Sequence, residues 1–134
     1  MTTIGQRLPM HCTASGKAVL AYLEPWEADR LLAGEEELTR YTYNTIVNRD
    51  RLQERLKKVR EVGYACDLEE WEYGLVCVAV PLFNLGRRPL GALSVSGPSI
   101  RMTEAMRSQA ARALLEAAAG IQRAYNHSGP QPTH

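Results

Sequence analysis

The chain is predicted to have an α+β fold in which helices gather around an antiparallel hairpin. An almost continuous apolar run, Leu75–Leu82, and a second strand-like stretch, Leu90–Ser96, flank the turn residues Asn84–Arg87. After Thr103, apolar residues recur at helical spacing over a long stretch. The predicted order is three helices, three strands and a last helix. Three strands make a thin sheet for this many helices, so we expect leading strands of the sheet to lie upstream of Met1.

End signals mark the first three helices. The first is predicted over Thr13–Leu23, with Thr13 as its N-cap. Pro25 suits the first turn of a second, short helix over Trp26–Ala33. The third helix begins after Asn48, a good N-cap, and ends at Gly63, a good C-cap.

Residue types and spacing also predict the structure of the other segments. Leu38–Val47 is ambiguous, with a short extended preference near its end. Tyr64–Leu68 reads as a strand, and an acidic, aromatic loop follows it. The tail, residues 126–134, is rich in Ser, Gly and Pro and is predicted to be disordered. The last helix is predicted to bury one apolar face, made of Met106, Ala110, Leu114, Ala117 and Ile121.

Composition narrows the class of protein. A chain of 134 residues suits one domain, which we assign to residues 1–125. The formal charge of +1 argues against a self-contained nucleic-acid binder, which would carry a basic face. No apolar run reaches the ~20 residues of a membrane span, and the first residues lack a signal-peptide core. Three cysteines without paired spacing are typical of reduced thiols in a cytoplasmic protein.

The stretch Leu8–Ala21 is a loop that turns into a helix at a glycine-lysine pair. A phosphate loop would need a glycine five positions before Gly16 and a Ser or Thr after Lys17. The chain has His11 and Ala18 there, which excludes the nucleotide-binding interpretation. What is left is a helix start with small residues, where a small anion can meet free backbone N–H groups.

Two hydroxyls on the third predicted strand are the next candidates. Ser94 and Ser96 lie two residues apart, so both side chains point to the same face. On a buried strand they need hydrogen-bond partners, which are either backbone groups or a bound ligand. Cys77 lies on the neighbouring strand, and Asp67 closes the strand before it, either as a turn former or as a ligand-binding carboxylate.

A nucleophilic triad is the sharper alternative, with Cys12 or Cys77 beside His11 and Asp67. Cys77 is embedded in an apolar run, where a cysteine is normally a small inert hydrophobe. His11 and Cys12 are adjacent, and adjacent side chains on extended backbone point in opposite directions. Metal binding lacks a second pair of ligands at suitable spacing. We therefore expect no enzyme, no metal and no cofactor.

Five motifs follow one another between about Leu8 and Tyr125. They are Leu8–Ala21, Tyr41–Ile46, Val59–Tyr64, Asp67–Glu70 with Gly74, and Leu93–Pro98. In their order and spacing they resemble the C-terminal effector-binding domain of IclR-type bacterial transcriptional regulators.

The resemblance implies a GAF-like domain, a curved antiparallel sheet flanked by helices. It implies binding of a small effector, commonly a carboxylate or an aromatic acid, and contacts that form a homodimer or homotetramer. In the family, DNA is bound by an N-terminal winged helix-turn-helix, which this sequence does not show. The chain is therefore expected to be an N-terminally truncated domain that binds no operator alone, with no membrane partner.

The family's pocket positions fall on seven residues, several of which the face argument had already marked. The resemblance implies that backbone N–H groups near Ala14 and Ser15 receive a carboxylate, with Ser94 and Ser96 as donors beside them. Asp67 would accept from a ligand hydroxyl or a water. The seven positions are Leu8, Ala14, Ser15, Asp67, Cys77, Ser94 and Ser96.

Three hypotheses follow. The first is a small-molecule-sensing and oligomerising domain of a transcriptional regulator, a repressor or an activator. The second is a thiol-dependent hydrolase that uses Cys77. The third is an oligomerisation module with a vestigial pocket. Native-state alkylation of Cys77 and a response to a metabolite distinguish them.

Overall fold

A computed structural model describes residues 9–32 and 38–128 of the chain. These residues form an α+β fold, as predicted, with the helices and strands in the predicted order. The elements are α1 (Ala14–Leu20), α2 (Pro25–Leu31), α3 (Arg49–Val62), β1 (Ala65–Leu68), β2 (Leu75–Phe83), β3 (Pro89–Pro98) and α4 (Glu104–Ser128). Within these two ranges, every helix is too short or too polar to span a lipid bilayer.

The sheet of the described residues is antiparallel, with β2 between β1 and β3. Helix α1 packs against all three strands, whereas α4 packs against β2 and β3. Side chains of β2 alternate between the two layers: Ala79 belongs to the core beneath α1, and Val78 and Val80 belong to the core beneath α4. The sheet thus has one face for α1 and one for α4.

The helix ends confirm the predicted caps. Thr13 is extended and its Oγ1 accepts from the Gly16 N–H at 3.1 Å, which starts α1. Asn48 caps α3 in the same way through the Arg51 N–H. Gly63 ends α3 with a left-handed φ of 87°, which glycine adopts without strain.

Helix α1 is shorter than the prediction of Thr13–Leu23. It ends at Leu20. The Ala21 N–H still donates to the Lys17 carbonyl, but the N–H groups of Tyr22 and Leu23 donate to carbonyls three residues back, so the chain tightens into turns. At the other end of the chain, α4 continues to Ser128, so residues 126–128 of the predicted disordered tail are helical. The rest of that tail lies outside the described residues.

The buried face of α4 agrees with the prediction at Leu114, which is buried, and at Ala110, which is partly buried, but differs from it elsewhere. The helix packs on the sheet through Ala111 and Leu114, with Ala118 partly buried beside them. Met106 and Ile121 of the predicted face are 47% and 46% exposed. Because α4 is alanine-rich around most of its circumference, the apolar pattern alone does not single out one stripe.

Candidate functional site

One cross-strand row on the α1 face of the sheet collects three of the predicted site residues. Asp67 on β1 pairs with Cys77 on β2, and Cys77 pairs with Ser96 on β3. Paired residues of neighbouring strands project to the same face. Ser94 lies in the next row on that face, opposite Ala79. The spacing argument that puts Ser94 and Ser96 on one face is therefore correct, and Asp67 and Cys77 lie on the same face.

The two serines are more exposed than the sequence suggested. They were expected on a buried strand, but β3 is the outer strand of the described sheet and Ser94 and Ser96 are both exposed. Ser96 Oγ lies 3.1 Å from Cys77 Sγ, which is a hydrogen-bond distance for sulfur. The hydroxyls are therefore open to solvent on one side, and burial does not oblige them to find protein partners.

Asp67 is the buried member of the row. Its exposed fraction is 1%, and its Oδ1 accepts from the Glu70 N–H at 2.7 Å. Its other oxygen, Oδ2, is buried and has no hydrogen-bond partner among the described residues. Burial is the main cause that raises the pKa of Asp67 to about 6, with a smaller contribution from the negative charge of Glu70.

The start of α1 lies over this face. Ala14 is buried and Ser15 is partly buried, in the first turn of the helix. A Cβ at Gly16 would lie 2.4 Å from Cα and O of Met10, so only glycine allows the preceding turn to pack this closely. The glycine of the Gly-Lys pair therefore serves close packing. Leu8, the remaining predicted site residue, lies outside the described residues.

The lysine of the pair has a role that sequence reasoning missed. Lys17 is completely buried, and its Nζ donates to Glu70 Oε1 at 2.6 Å and to the carbonyl of Cys66 at 2.5 Å. This ion pair ties α1 to the loop after β1. The sequence carries one signal of this burial: Lys17 lies beside Ala14 and Ala18 on the apolar side of the helix. Local spacing does not identify its partner, Glu70, because that residue is 53 positions away along the chain.

The segment 41–46 holds the same loop from its other side. Thr42 Oγ1 donates to the carbonyl of Glu69 at 2.6 Å, and Thr45 Oγ1 donates to the carbonyl of Glu70 at 2.5 Å. Both threonines are buried. The stretch that was ambiguous in the sequence thus fixes the loop next to Asp67 through side-chain hydrogen bonds to its backbone, to which Asn44 adds a bond from its Nδ2 to the Leu68 carbonyl at 3.3 Å.

The arrangement does not assemble a nucleophilic triad. Burial raises the pKa of the Cys77 thiol, and it raises the pKa of Cys12 to about 12, so neither thiolate is favoured. His11 is buried with its Nε2 2.7 Å from the carbonyl of Thr39. Across residues 9–32 and 38–128, no three potential metal-ligating side chains cluster together.

Comparison with known proteins identifies the family. A profile described as "Bacterial transcriptional regulator IclR C-terminal" matches residues 1–123. The HTH-type transcriptional regulator XynR of Escherichia coli is 40% identical over 124 residues, which are 92% of this chain and 49% of that protein. The transcriptional repressor IclR of Escherichia coli is 38% identical over 122 residues, 91% of this chain and 44% of that protein. The chain thus spans about half the length of these curated relatives.

Solved structures agree with the sequence relatives. The C-terminal domain of Escherichia coli KdgR matches with a TM-score of 0.81 and 38% identity, covering 90% of this chain and 73% of that one. The Thermotoga maritima IclR structure matches with a TM-score of 0.85 and 36% identity, covering 92% and 50%. The inducer-binding domain of Acinetobacter PobR, a double mutant in complex with 3-hydroxybenzoic acid, matches with a TM-score of 0.79 and 27% identity. The match covers 90% of this chain and 69% of that one.

The relatives are transcriptional regulators rather than enzymes, which supports the non-enzymatic interpretation over the Cys77 hydrolase. The antiparallel sheet flanked by helices likewise agrees with the architecture of the solved C-terminal domains. The chain belongs to the IclR family of bacterial transcriptional regulators and corresponds to their C-terminal, effector-binding domain.

Proposed function

We propose that this domain senses a small carboxylate that binds between the start of α1 and the row Asp67–Cys77–Ser96. The observation that carries the proposal is the buried Oδ2 of Asp67, which has no hydrogen-bond partner among the described residues. Buried polar atoms are nearly always paired, so an orphaned one in the same cross-strand row as the open hydroxyl of Ser96 points to an absent partner. The 3-hydroxybenzoic acid complex of the related PobR domain supports an acid as that partner.

The proposed contacts are those predicted from the family. The hydroxyls of Ser94 and Ser96 donate to the ligand, and the first-turn backbone of Ala14 and Ser15 lies against it. Cys77 forms part of the wall, because its Sγ already contacts Ser96. Leu8 is proposed to form an apolar part of the pocket wall.

The same proposal extends to the full-length regulator. Several relatives are named HTH-type regulators or repressors. We propose that the full-length protein is a cytoplasmic homodimer or homotetramer that binds DNA through an N-terminal domain. The effector would act by binding one arrangement of the subunits more tightly than another, which shifts their equilibrium.

A thermal-shift screen tests the site. A panel of acetate, pyruvate, lactate, benzoate and 3-hydroxybenzoate is added to the 134-residue chain, and we expect at least one to raise Tm. At 100 times its Kd a ligand stabilises by about 2.7 kcal/mol, which is readily measured. The double variant Ser94→Ala with Ser96→Ala is expected to lose most of the shift, whereas Ser108→Ala, an exposed serine on α4, is expected to keep it. A normal response of the double variant would contradict the assignment.

A second candidate is an oligomerisation module with a vestigial pocket. Its supporting observation is the exposed apolar surface of α4 and β3, which includes Met106, Ile121, Leu90 and Val95. This candidate predicts a dimer by analytical ultracentrifugation and no Tm response to a wider screen of organic acids. A clear ligand response would exclude it.

A further inference from the structure

The environment of Asp67 sets it apart from an ordinary ligand-binding carboxylate. The side chain is 1% exposed, and the Glu70 N–H donates to its Oδ1 at 2.7 Å. Oδ2 is buried and has no partner among the described residues. An ionised carboxylate that loses water at one oxygen and gains no donor there is strongly disfavoured.

The charged and titratable groups around Asp67 do not supply the missing donor. From α1, Lys17 faces it, but the Lys17 Nζ donates to Glu70 and to the Cys66 carbonyl. From the following loop, Glu70 adds negative charge, and the backbone N–H groups of Glu70 and Trp71 favour the ionised form. Cys12 before α1 and Cys77 on β2 also face it, and burial raises the pKa of both thiols, so both are neutral.

A carboxylate ligand makes this environment more negative. Its charge would meet the ionised form of Asp67 at close range in a partly dehydrated site, and two such carboxylates do not both stay ionised. A proton on Oδ2 removes the repulsion. It also turns Oδ2 into a hydroxyl that donates to the ligand, alongside the hydroxyl of Ser96 in the same cross-strand row.

We propose that Asp67 binds the effector carboxylate as a protonated acid, so that each effector molecule is taken up together with one proton. This rests on the proposed function, since it requires an anionic ligand next to Asp67. It reverses the role expected from the sequence, in which Asp67 accepts a hydrogen bond from a ligand hydroxyl or a water. The site then selects for anions that can accept a short O–H···O hydrogen bond.

The pH dependence follows by linkage. Burial raises the pKa of Asp67 to about 6 in the free protein, so at pH 8 nearly every molecule must gain a proton in order to bind. The affinity should be constant below about pH 5 and should fall about tenfold per pH unit above about pH 7. An Asp67 that bound as the ionised acceptor would give no such fall.

Isothermal titration of the 134-residue chain measures the proton directly. The tightest-binding acid of the panel above is titrated at pH 8 in HEPES and in Tris, whose ionisation enthalpies differ. The observed enthalpies are expected to differ by the amount that corresponds to uptake of about one proton per ligand. Binding without proton uptake overturns the inference and leaves the proposed function standing. Failure of every acid in the panel to bind overturns both.

The variant Asp67→Asn gives a second, independent test. Asn is a neutral isostere whose Oδ1 keeps accepting from the Glu70 N–H while its amide donates where the proton would be. At pH 8 we expect it to bind the same acid at least about tenfold more tightly than the unaltered chain, with no pH dependence between pH 6.5 and 8.5.

Asp50→Asn, at an exposed site on α3, makes the same change of charge and should leave binding and its pH dependence unaltered. Circular dichroism and urea unfolding check that each variant is folded. Weaker binding by folded Asp67→Asn at every pH would show that Asp67 acts as an ionised acceptor, and would overturn the inference.

Discussion

The buried ion pair between Lys17 and Glu70 gives the sharpest prediction about stability. Replacing Lys17 with Met keeps most of the volume but removes the charge and both hydrogen bonds of Nζ. Glu70, whose side chain is 4% exposed, would be left as a buried charge. It would keep the Leu68 N–H as a donor, and Arg55 would be its nearest remaining cation, at 4.0 Å.

Breaking a buried pair by removing one partner costs about 3–5 kcal/mol, because the other charge stays uncompensated. A domain of this size has a free energy of unfolding of about 5–15 kcal/mol, so the loss is a large fraction of the total. With a urea m-value of about 2 kcal/mol/M, the unfolding midpoint of Lys17→Met should fall by about 2 M.

Urea unfolding followed by tryptophan fluorescence measures this shift, with Lys58→Met on the exposed side of α3 as the matched control. The double variant Lys17→Met with Glu70→Gln removes both charges, and we expect it to be more stable than Lys17→Met alone. The coupling energy from the four proteins should reach about 2–3 kcal/mol. A cost below about 1 kcal/mol for Lys17→Met would refute the stabilising role of this buried ion pair. So would effects of the two single variants that simply add up in the double variant.

Two further predictions concern packing and thiol chemistry. Gly16→Ala should cost about 1–3 kcal/mol in urea unfolding, because its Cβ would meet the Met10 backbone at 2.4 Å. Gly120→Ala on α4 should stabilise by up to about 1 kcal/mol, because its Cβ would meet only the end of the Arg123 side chain, at an ordinary contact distance of 3.8 Å. Equal stability changes for the two variants would show that the Gly16 and Met10 backbones do not pack this closely. Iodoacetamide at pH 7.5 should modify Cys12 and Cys77 only after unfolding, as mass spectrometry would show, because burial raises the pKa of both thiols. Fast native modification of Cys77 would revive the hydrolase hypothesis.

Local signals in the sequence predicted the elements well. The caps at Thr13, Asn48 and Gly63 identify helix ends because each satisfies backbone groups within a few residues. The hairpin of β2 and β3 was readable for the same reason: its turn residues and apolar runs are adjacent in the chain. The common face of Ser94 and Ser96 needed only the alternation of a strand.

Features that depend on contacts between residues far apart in the chain could not be predicted from the sequence. The burial of Lys17 depends on Glu70, which only the folded chain brings within 2.6 Å. The stripe of α4 that packs on the sheet is decided by the neighbouring strands, since alanines line several sides of this helix. The exposure of Ser94 depends on strand order, and the orphaned Oδ2 of Asp67 depends on which donors the loop provides. None of these properties is encoded in local spacing.

The position of a bound acid shows whether Asp67 and Ser96 form the effector site. A crystal structure of the 134-residue chain with the tightest-binding acid of the panel would show where the ligand carboxylate lies. We predict that one of its oxygens lies within hydrogen-bond distance of Asp67 Oδ2 and another near the hydroxyl of Ser96. A carboxylate bound elsewhere, with Asp67 Oδ2 contacting only protein atoms, would show that Asp67 is not part of the effector site.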